Sequence, residues 1–288
     1  MKAVLRHELS SCFTNLSGYV FGAFLLLFAG IYTMVYNLQA ATTNFEYVLG
    51  SMSFVFLIIV PILTMRVLAE ERRQKTDQLL YSLPLSMTQV VVGKYLALLT
   101  MFLIPLVIIS LYPLILTAFG NLNLAAAFGS IVGFFCLGAA LIAVGMYISS
   151  ITESQAVAAG LCFVVMLINY FIADLASMAS ATAFGSLTML ILCALIISGI
   201  VYLMTKNGFA TLMCAAVLAG GTMVAYAFDS SAFEGLFPAI MEKLSLFEWF
   251  YVLIDGVFDL RCMVFFLSVA GVFLFLSVQS MEKRRWSE

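Results

Sequence analysis

Nine consecutive polar residues, Glu70 to Gln78, interrupt a chain in which only 10% of the 288 residues are charged. The run opens with a carboxylate pair, Glu70 and Glu71, and paired glutamates can act as general acid and base beside a metal ion. Such a centre also needs histidine ligands, and the only histidine is His7, near the start of the chain. The pattern therefore argues against a membrane protease.

The second chemistry to consider is nucleotide hydrolysis, which has a recognisable sequence motif. The stretch VVVGKY contains the pair Gly93-Lys94, but it lacks the preceding loop of the GxxxxGK[ST] motif, whose backbone amides cradle phosphates. The six cysteines show no CxxC spacing, so neither a metal site nor a disulfide framework is expected. The chain is predicted not to be an enzyme.

Ion coupling is the third chemistry, and it remains an alternative. Asp174 is the only acidic residue that falls within a predicted span, and Asn169 lies five residues before it. Intramembrane carboxylates mark ion or proton pathways, which favours a secondary carrier or channel. The other interpretation of Asp174 is a solvated helix end.

The elements that must position these residues are membrane helices. Hydrophobic residues make up 64% of the chain, and the mean hydropathy is +1.12. This composition predicts an all-α polytopic membrane protein, with spans of roughly 20 apolar residues. The eight predicted spans are about 17–37, 48–68, 93–118, 125–150, 156–176, 184–204, 209–228 and 262–281.

The basic residues predict the orientation of these spans. With the N-terminus in the cytoplasm, eight spans return the C-terminus there as well. All but Lys243 and Arg261 of the 13 basic residues then face the cytoplasm, in accord with the positive-inside rule.

Three segments outside the spans have helical patterns on the cytoplasmic side. Residues 1–16 carry an apolar stripe typical of an amphipathic helix at the membrane surface. Residues 69–92 form an elbow in which Ser86 and Gln89 have capping-box spacing, and this predicts a helix start. Residues 150–155 form a second elbow, where Thr152 and Gln155 have the same spacing.

Residues 229–261 predict two short helices outside the cell, too short to span the membrane. Ser231 with Glu234, and Ser245 with Glu248, have capping-box spacing at their starts. We predict that these helices form an outer gate at the level of the outer headgroups, where aromatic rings are favoured. The predicted gate residues are Phe237, Trp249, Phe250 and Asp255.

The sequence LAEERRQKTDQLLYSLPLSMTQVVVGKYLA resembles the segment between the second and third spans of type-2 ABC transporter permeases. The shared pattern is a Glu-Glu-Arg start, a threonine, a Leu-Leu pair, a Pro-Leu-Ser turn and Gly-Lys, although Lys75 replaces the usual glycine. The N-terminal segment, LGAALIAVGMYISSITESQAVAAGL and the last span with its basic tail (262–288) are similar to the gliding-motility-type subfamily. Residues 184–228 are an extra helix pair beyond that family's six spans.

The resemblance implies that the charged run is a coupling helix that docks into a separate ATPase subunit. It also implies a permease dimer in the cell membrane that works with two ATPases, which bind ATP and Mg²⁺, and exports its substrate. The second permease would be identical or related, with or without a large extracellular domain. The implied docking residues are Glu70, Glu71, Arg72, Arg73, Lys75, Thr76, Asp77, Leu79, Leu80 and, on the second elbow, Glu153.

Overall fold

A computed structural model describes residues 2–14, 16–69, 73, 86–178, 182–205, 208–255 and 259–285, and these residues fold as helices joined by short turns. A π-helical turn follows α2 at Met34–Gln39, and 3₁₀ turns occupy Ser53–Val55 and Ser231–Phe233. The α-helices are α1 (Lys2–Thr14), α2 (Leu16–Thr33), α3 (Glu46–Met52), α4 (Phe56–Thr64), α5 (Met87–Ile109), α6 (Leu111–Leu116), α7 (Leu124–Ile151), α8 (Gln155–Ser177), α9 (Ala183–Thr205), α10 (Gly208–Phe228), α11 (Leu236–Leu244), α12 (Leu246–Ile254) and α13 (Leu260–Arg285).

Within the described residues, seven helical segments are long and apolar enough to cross a membrane. The all-α polytopic fold is therefore confirmed, with about seven spans in place of the eight predicted. The difference falls in the extra pair, because the predicted span 184–204 contributes only a shorter apolar stretch, Ala183–Ile196. The seven candidate spans are Gly18–Gln39, Glu46–Thr64, Met87–Leu116, Leu124–Ile151, Gln155–Ser177, Thr211–Phe228 and Leu260–Lys283.

The chain divides into two compact units, and the larger comprises Met1–Ile168 and Trp249–Glu288. Helix α7 is its central element, packing against α3, α4, α5 and α13, while α1 packs against α5 and α2. Four phenylalanine rings fill the core beside α7. They are Phe56, Phe102, Phe134 and Phe250, with ring centroids 4.5 Å apart for Phe56–Phe134 and 5.8 Å apart for Phe134–Phe250.

Two glycines on α7 allow this close packing. A Cβ atom at Gly138 would collide with the Phe102 ring, and one at Gly145 would collide with the Thr64 hydroxyl. Thr64 is itself fully buried, and its Oγ1 donates to the Val60 carbonyl at 2.9 Å. Small residues let helix backbones approach closely in membrane bundles, so α4 and α5 are held directly against α7.

The second unit comprises Asn169–Glu248. In it α9 packs against α10, α11 and the 3₁₀ turn. Helix α11, in this unit, and helix α12, whose last six residues belong to the larger unit, have nine residues each and are too short to span.

Local capping predictions had mixed outcomes. Ser86 and Ser245 cap α5 and α12 as predicted, because their Oγ atoms accept from the amides of Gln89 at 3.3 Å and Glu248 at 3.2 Å. The predicted cap at Ser231 is wrong. Its hydroxyl donates to Asp229 Oδ1 at 2.6 Å, and the same carboxylate accepts the Ala232 amide at 3.3 Å.

The second elbow has a hydroxyl at its start. The Thr152 hydroxyl donates to the Ile148 carbonyl at 3.1 Å, so it serves the end of α7, and its predicted role as a cap of α8 stays a prediction. A hydroxyl satisfies the unpaired carbonyls of a helix end as readily as the unpaired amides of a helix start.

Candidate functional site

The segment that leads into the charged run is the strongest candidate site. Span two ends with α4 at Thr64 and continues through a turn, Met65–Leu68, to Ala69. Of the predicted docking residues on the first elbow, Arg73 is described and exposed. The others lie outside the described residues: Glu70, Glu71, Arg72, Lys75, Thr76, Asp77, Leu79 and Leu80.

A buried lysine holds this turn. Lys94, on α5, donates through Nζ to Glu8 Oε1 at 2.8 Å and to the Val67 carbonyl oxygen at 3.2 Å. The Lys94 side chain is 2% exposed and that of Glu8 is 20% exposed. A lysine this deeply buried needs an anionic partner, and Glu8, on α1, supplies the carboxylate.

A buried serine holds the same turn from another side. Ser149, near the end of α7, accepts hydrogen bonds at Oγ from the amides of Leu68 at 3.3 Å and Ala69 at 3.1 Å. Its hydroxyl lies 3.4 Å from the Met65 carbonyl, to which it donates. Backbone groups that leave a helix need such partners when they are buried.

These contacts bring four elements together at one point. We call Glu8, Lys94, Ser149 and the backbone of Val67–Ala69 the elbow-root cluster. It joins α1, α5 and α7 to the last residues of span two, all within the larger unit. The cluster has hydrogen-bonding and ionic groups but no nucleophile with a neighbouring base, so what it can do is fix and transmit position.

No group of three His, Cys, Asp or Glu side chains that could hold a metal ion occurs among the described residues.

The second elbow is described completely. Glu153 is exposed at its tip, between the ends of α7 and α8. The last helix supports this elbow, because the Ser280 hydroxyl donates to the Ser150 carbonyl at 3.3 Å. Glu153 is thus on the surface next to a fixed helix end, as a docking residue must be.

The predicted gate residues lie in different environments. Phe250 is fully buried against Phe134, and Trp249 stacks on Phe265 with ring centroids 5.0 Å apart. Asp255 is exposed after the end of α12, and Phe237, on α11, is partly exposed. Phe250 and Trp249 thus act at least as packing residues, and the gate remains a prediction.

Asn169 holds a corner of the second unit. Its Nδ2 donates to the Leu244 carbonyl at 3.0 Å, and its Oδ1 accepts the Leu246 amide at 3.0 Å. The Ser245 hydroxyl donates to the Asn169 carbonyl at 3.3 Å. We call these four residues the Asn169 corner, and they join α8 to the bend between α11 and α12.

Electrostatics near this corner involve three carboxylates. Partial burial, and then the negative charges of Asp174 and Glu242, raise the pKa of Glu248 above its ordinary value. Asp174 itself is exposed near the end of α8. The Asn169 amide is engaged by backbone groups and Asp174 is exposed, and both observations weaken the interpretation of these two residues as an ion pathway.

The sequence missed the buried charges. It identified Asp174 as the only acidic residue in a span, yet Glu46 is 8% exposed in the first turn of α3, within a candidate span. It placed Lys94 on the cytoplasmic side and gave it no partner. In the structure Lys94 pairs with Glu8, which lies 86 residues earlier in the chain. Only for Lys94 did the sequence indicate that a partner was needed, because a lysine seven residues into a long apolar helix has to be neutralised.

Comparison with known proteins gives one family. A family model described as "ABC-2 family transporter protein" matches residues 31–184, just over half of the chain. The matched range contains the charged run, Lys94, Ser149 and Glu153. Neither the curated proteins nor the solved structures give a significant match.

Proposed function

The chain belongs to the ABC-2 family of transporter proteins as a membrane permease component, and we propose that a separate ATPase drives export through it. The family works with an ATPase partner, and its permeases have no catalytic domain of their own. In this proposal ATP and Mg²⁺ bind to the ATPase, and this chain binds no cofactor.

The observation that carries the proposal is the way the elbow is rooted. The backbone of Val67–Ala69 is held by Lys94 and Ser149 just before the charged run begins. A force applied to the run by a docked ATPase would therefore reach span two, α5 and α7 without being absorbed by a loose hinge.

Docking is proposed for the charged run and for the second elbow. Within the run, the basic residues Arg73 and Lys75 lie between the acidic residues Glu71 and Asp77, and such a mixed charge pattern suits a cleft with complementary charges. Glu153, on the second elbow, supplies a smaller contact. The surrounding assembly is two permeases, identical or related, with two ATPases, as in the gliding-motility-type subfamily that the sequence resembles.

The test of docking is a charge reversal. Glu71→Lys with Arg73→Glu should leave expression and membrane insertion intact, because exposed substitutions change stability by only about ±0.5 kcal/mol. ATPase association, measured by titration in lipid nanodiscs, should weaken by about tenfold or more, which corresponds to roughly 1.4 kcal/mol per decade.

Glu153→Lys is the matched control for this experiment. It reverses an exposed charge on the smaller elbow and should weaken association less, because that elbow offers fewer contacts. If the double reversal binds the ATPase as tightly as the native chain does, docking through this run is excluded.

We also propose that α11 and α12 lie outside the cell and border the exit of the pathway. The aromatic residues Phe237 and Trp249 support this, because rings of this kind favour the interface. An exposed cysteine, Ser231→Cys or Glu242→Cys in a background without native cysteines, should react with an impermeant thiol reagent added outside. Ser245, fully buried, is unsuitable for this labelling.

The topology experiment has its own control. Glu153→Cys should react only after the membrane is permeabilised, because its elbow faces the ATPase. Labelling of Ser231→Cys from the cytoplasmic side alone would overturn this orientation.

A further inference from the structure

We propose that Lys94 is the positioning residue that links α1 to the elbow, so that movement of the elbow on ATP binding is passed to α1 and the first span. This inference rests on the proposed function and extends it to a part of the chain outside both elbows. The geometry that carries it is one ammonium group shared between two elements that are distant in sequence.

Among the described residues, Lys94 Nζ is the only atom that hydrogen-bonds to both α1 and the turn at Met65–Leu68. An ammonium has three N–H donors, and those of Lys94 reach Glu8 Oε1 at 2.8 Å and the Val67 carbonyl at 3.2 Å. The first bond ties Lys94 to α1 and the second ties it to the turn that opens the elbow. A shift of the turn therefore changes the position of Nζ relative to the Glu8 carboxylate.

Stability alone does not account for this pair. Burying two charges costs desolvation energy, and well-packed apolar residues of similar volume often stabilise a fold as much or more. An apolar pair at these positions would hold α1 against α5, but it would have no group to bond with the Val67 carbonyl. The feature that only the charged pair provides is the link to the elbow.

Helix α1 is placed to pass the movement on. It packs against α5 and α2, and α2 begins at Leu16, two residues after α1 ends at Thr14. Gly18–Gln39, which contains most of α2, is the first candidate span. Displacement of α1 thus acts directly on the start of a membrane span.

A spin label on α1 tests the inference. The label is placed at the exposed position His7→Cys in the full-length chain without native cysteines, in nanodiscs with the ATPase that co-purifies with it. The mobility of the label is measured by electron paramagnetic resonance before and after addition of ATP and vanadate. In the native Lys94 background, we expect trapping to change the spectrum.

The informative variants change Lys94 and its partner. In Lys94→Met, measured at an ATPase concentration that saturates binding, the spectral response should be lost. Lys94→Arg keeps the charge and the donors and should retain the response. Arg66→Met is the matched control, because Arg66 is in the same turn and forms no ion pair with any described residue.

The charge swap separates the ion pair from the link to the turn. Glu8→Lys with Lys94→Glu restores opposite charges, but the new carboxylate faces the Val67 carbonyl and two acceptors cannot bond. The swapped chain should recover thermal stability without recovering the spectral response. Recovery of both would overturn the proposed link, because the ion pair alone would then suffice.

Failure of the inference can be told from failure of the proposed function. If the native chain binds no ATPase, docking itself is wrong. If the ATPase binds and Lys94→Met responds like the native chain, docking stands and Lys94 is only a packing residue. Glu8→Leu with Lys94→Met supplies a stable apolar pair, so a folding defect in the single variant does not decide the outcome.

Discussion

At the elbow-root cluster a buried ammonium and a buried hydroxyl hold the end of a span, whereas at the Asn169 corner one neutral amide holds a bend between two short helices. Both sites satisfy backbone groups that have left a helix. They differ in charge and burial, because Lys94 and Ser149 are buried while the Nδ2 bond of Asn169 is exposed.

The difference indicates what each site is suited to do. A neutral amide that bonds both sides of a bend fixes one geometry with two hydrogen bonds of ordinary strength. A buried ion pair is costly to break and keeps its attraction over a longer distance, so it can hold two elements together while one of them moves. The elbow-root cluster therefore suits coupling, and the Asn169 corner suits rigidity.

Removal of the buried charge should have the largest effect. Lys94→Met leaves Glu8 partly buried without its cation, and loss of one member of a buried pair costs about 3–5 kcal/mol. Because Glu8 is 20% exposed, we expect about 3 kcal/mol, measured as the free energy of unfolding in detergent micelles. Adding Glu8→Leu should return most of this stability, and an unchanged loss in the double variant would show that the charge is not its cause.

Loss of the buried hydroxyl should come next. Ser149→Ala leaves the amides of Leu68 and Ala69 without their acceptor, at a cost of about 1–3 kcal/mol. Hydrogen exchange at these two amides should accelerate correspondingly, since local opening sets their protection. Ser150→Ala is the neighbouring control and should leave both amides protected, because its hydroxyl donates to the Tyr147 carbonyl in its own helix.

The equivalent change at the corner should be smaller. Asn169→Ala removes two hydrogen bonds, but water can replace the one to Leu244, which is 55% exposed. We expect about 1 kcal/mol, seen as faster exchange of the Leu246 amide. Ser177→Ala, on the same helix, should stay within about ±0.5 kcal/mol. A larger effect for Asn169 than for Ser149 would reverse the comparison.

The smallest effect should be pH dependence at the corner. The folded state raises the pKa of Glu248 above its ordinary value of 4.5, so it favours the protonated form. Protonation of Glu248 therefore contributes its full stability below pH 4.5, and this stability is lost as the pH rises through the raised pKa. Because Glu248 is only partly buried and solvent screens its charge, the change should be below about 0.5 kcal/mol.

Glu248→Gln is the variant that reveals this contribution. Hydrogen exchange of the backbone amides of residues 244–248 is corrected for its intrinsic pH dependence. It should slow on acidification in the native chain and slow less in the variant. Identical pH dependence in the two chains would assign the effect to other carboxylates.

Features with local causes were predictable from the sequence. The spans follow from apolar length, and the caps at Ser86 and Ser245 follow from a three-residue spacing. The same spacing failed at Ser231, because Asp229, two residues earlier, accepts the Ser231 hydroxyl and the amides of Ser231 and Ala232. Local rules rank the candidate caps, but the backbone path decides which one is used.

The sequence by itself determined the all-α membrane class, most of the spans and, through the charged run, the family. Only the tertiary structure paired Lys94 with Glu8, 86 residues away, and Asn169 with the Leu246 amide, 77 residues away. Hydrophobic length is a property of consecutive residues, so it can be read along the chain. The partner of a buried polar group depends on which helices pack together, and here that depends on contacts such as Gly145 against Thr64, where the absence of a Cβ lets two helices meet.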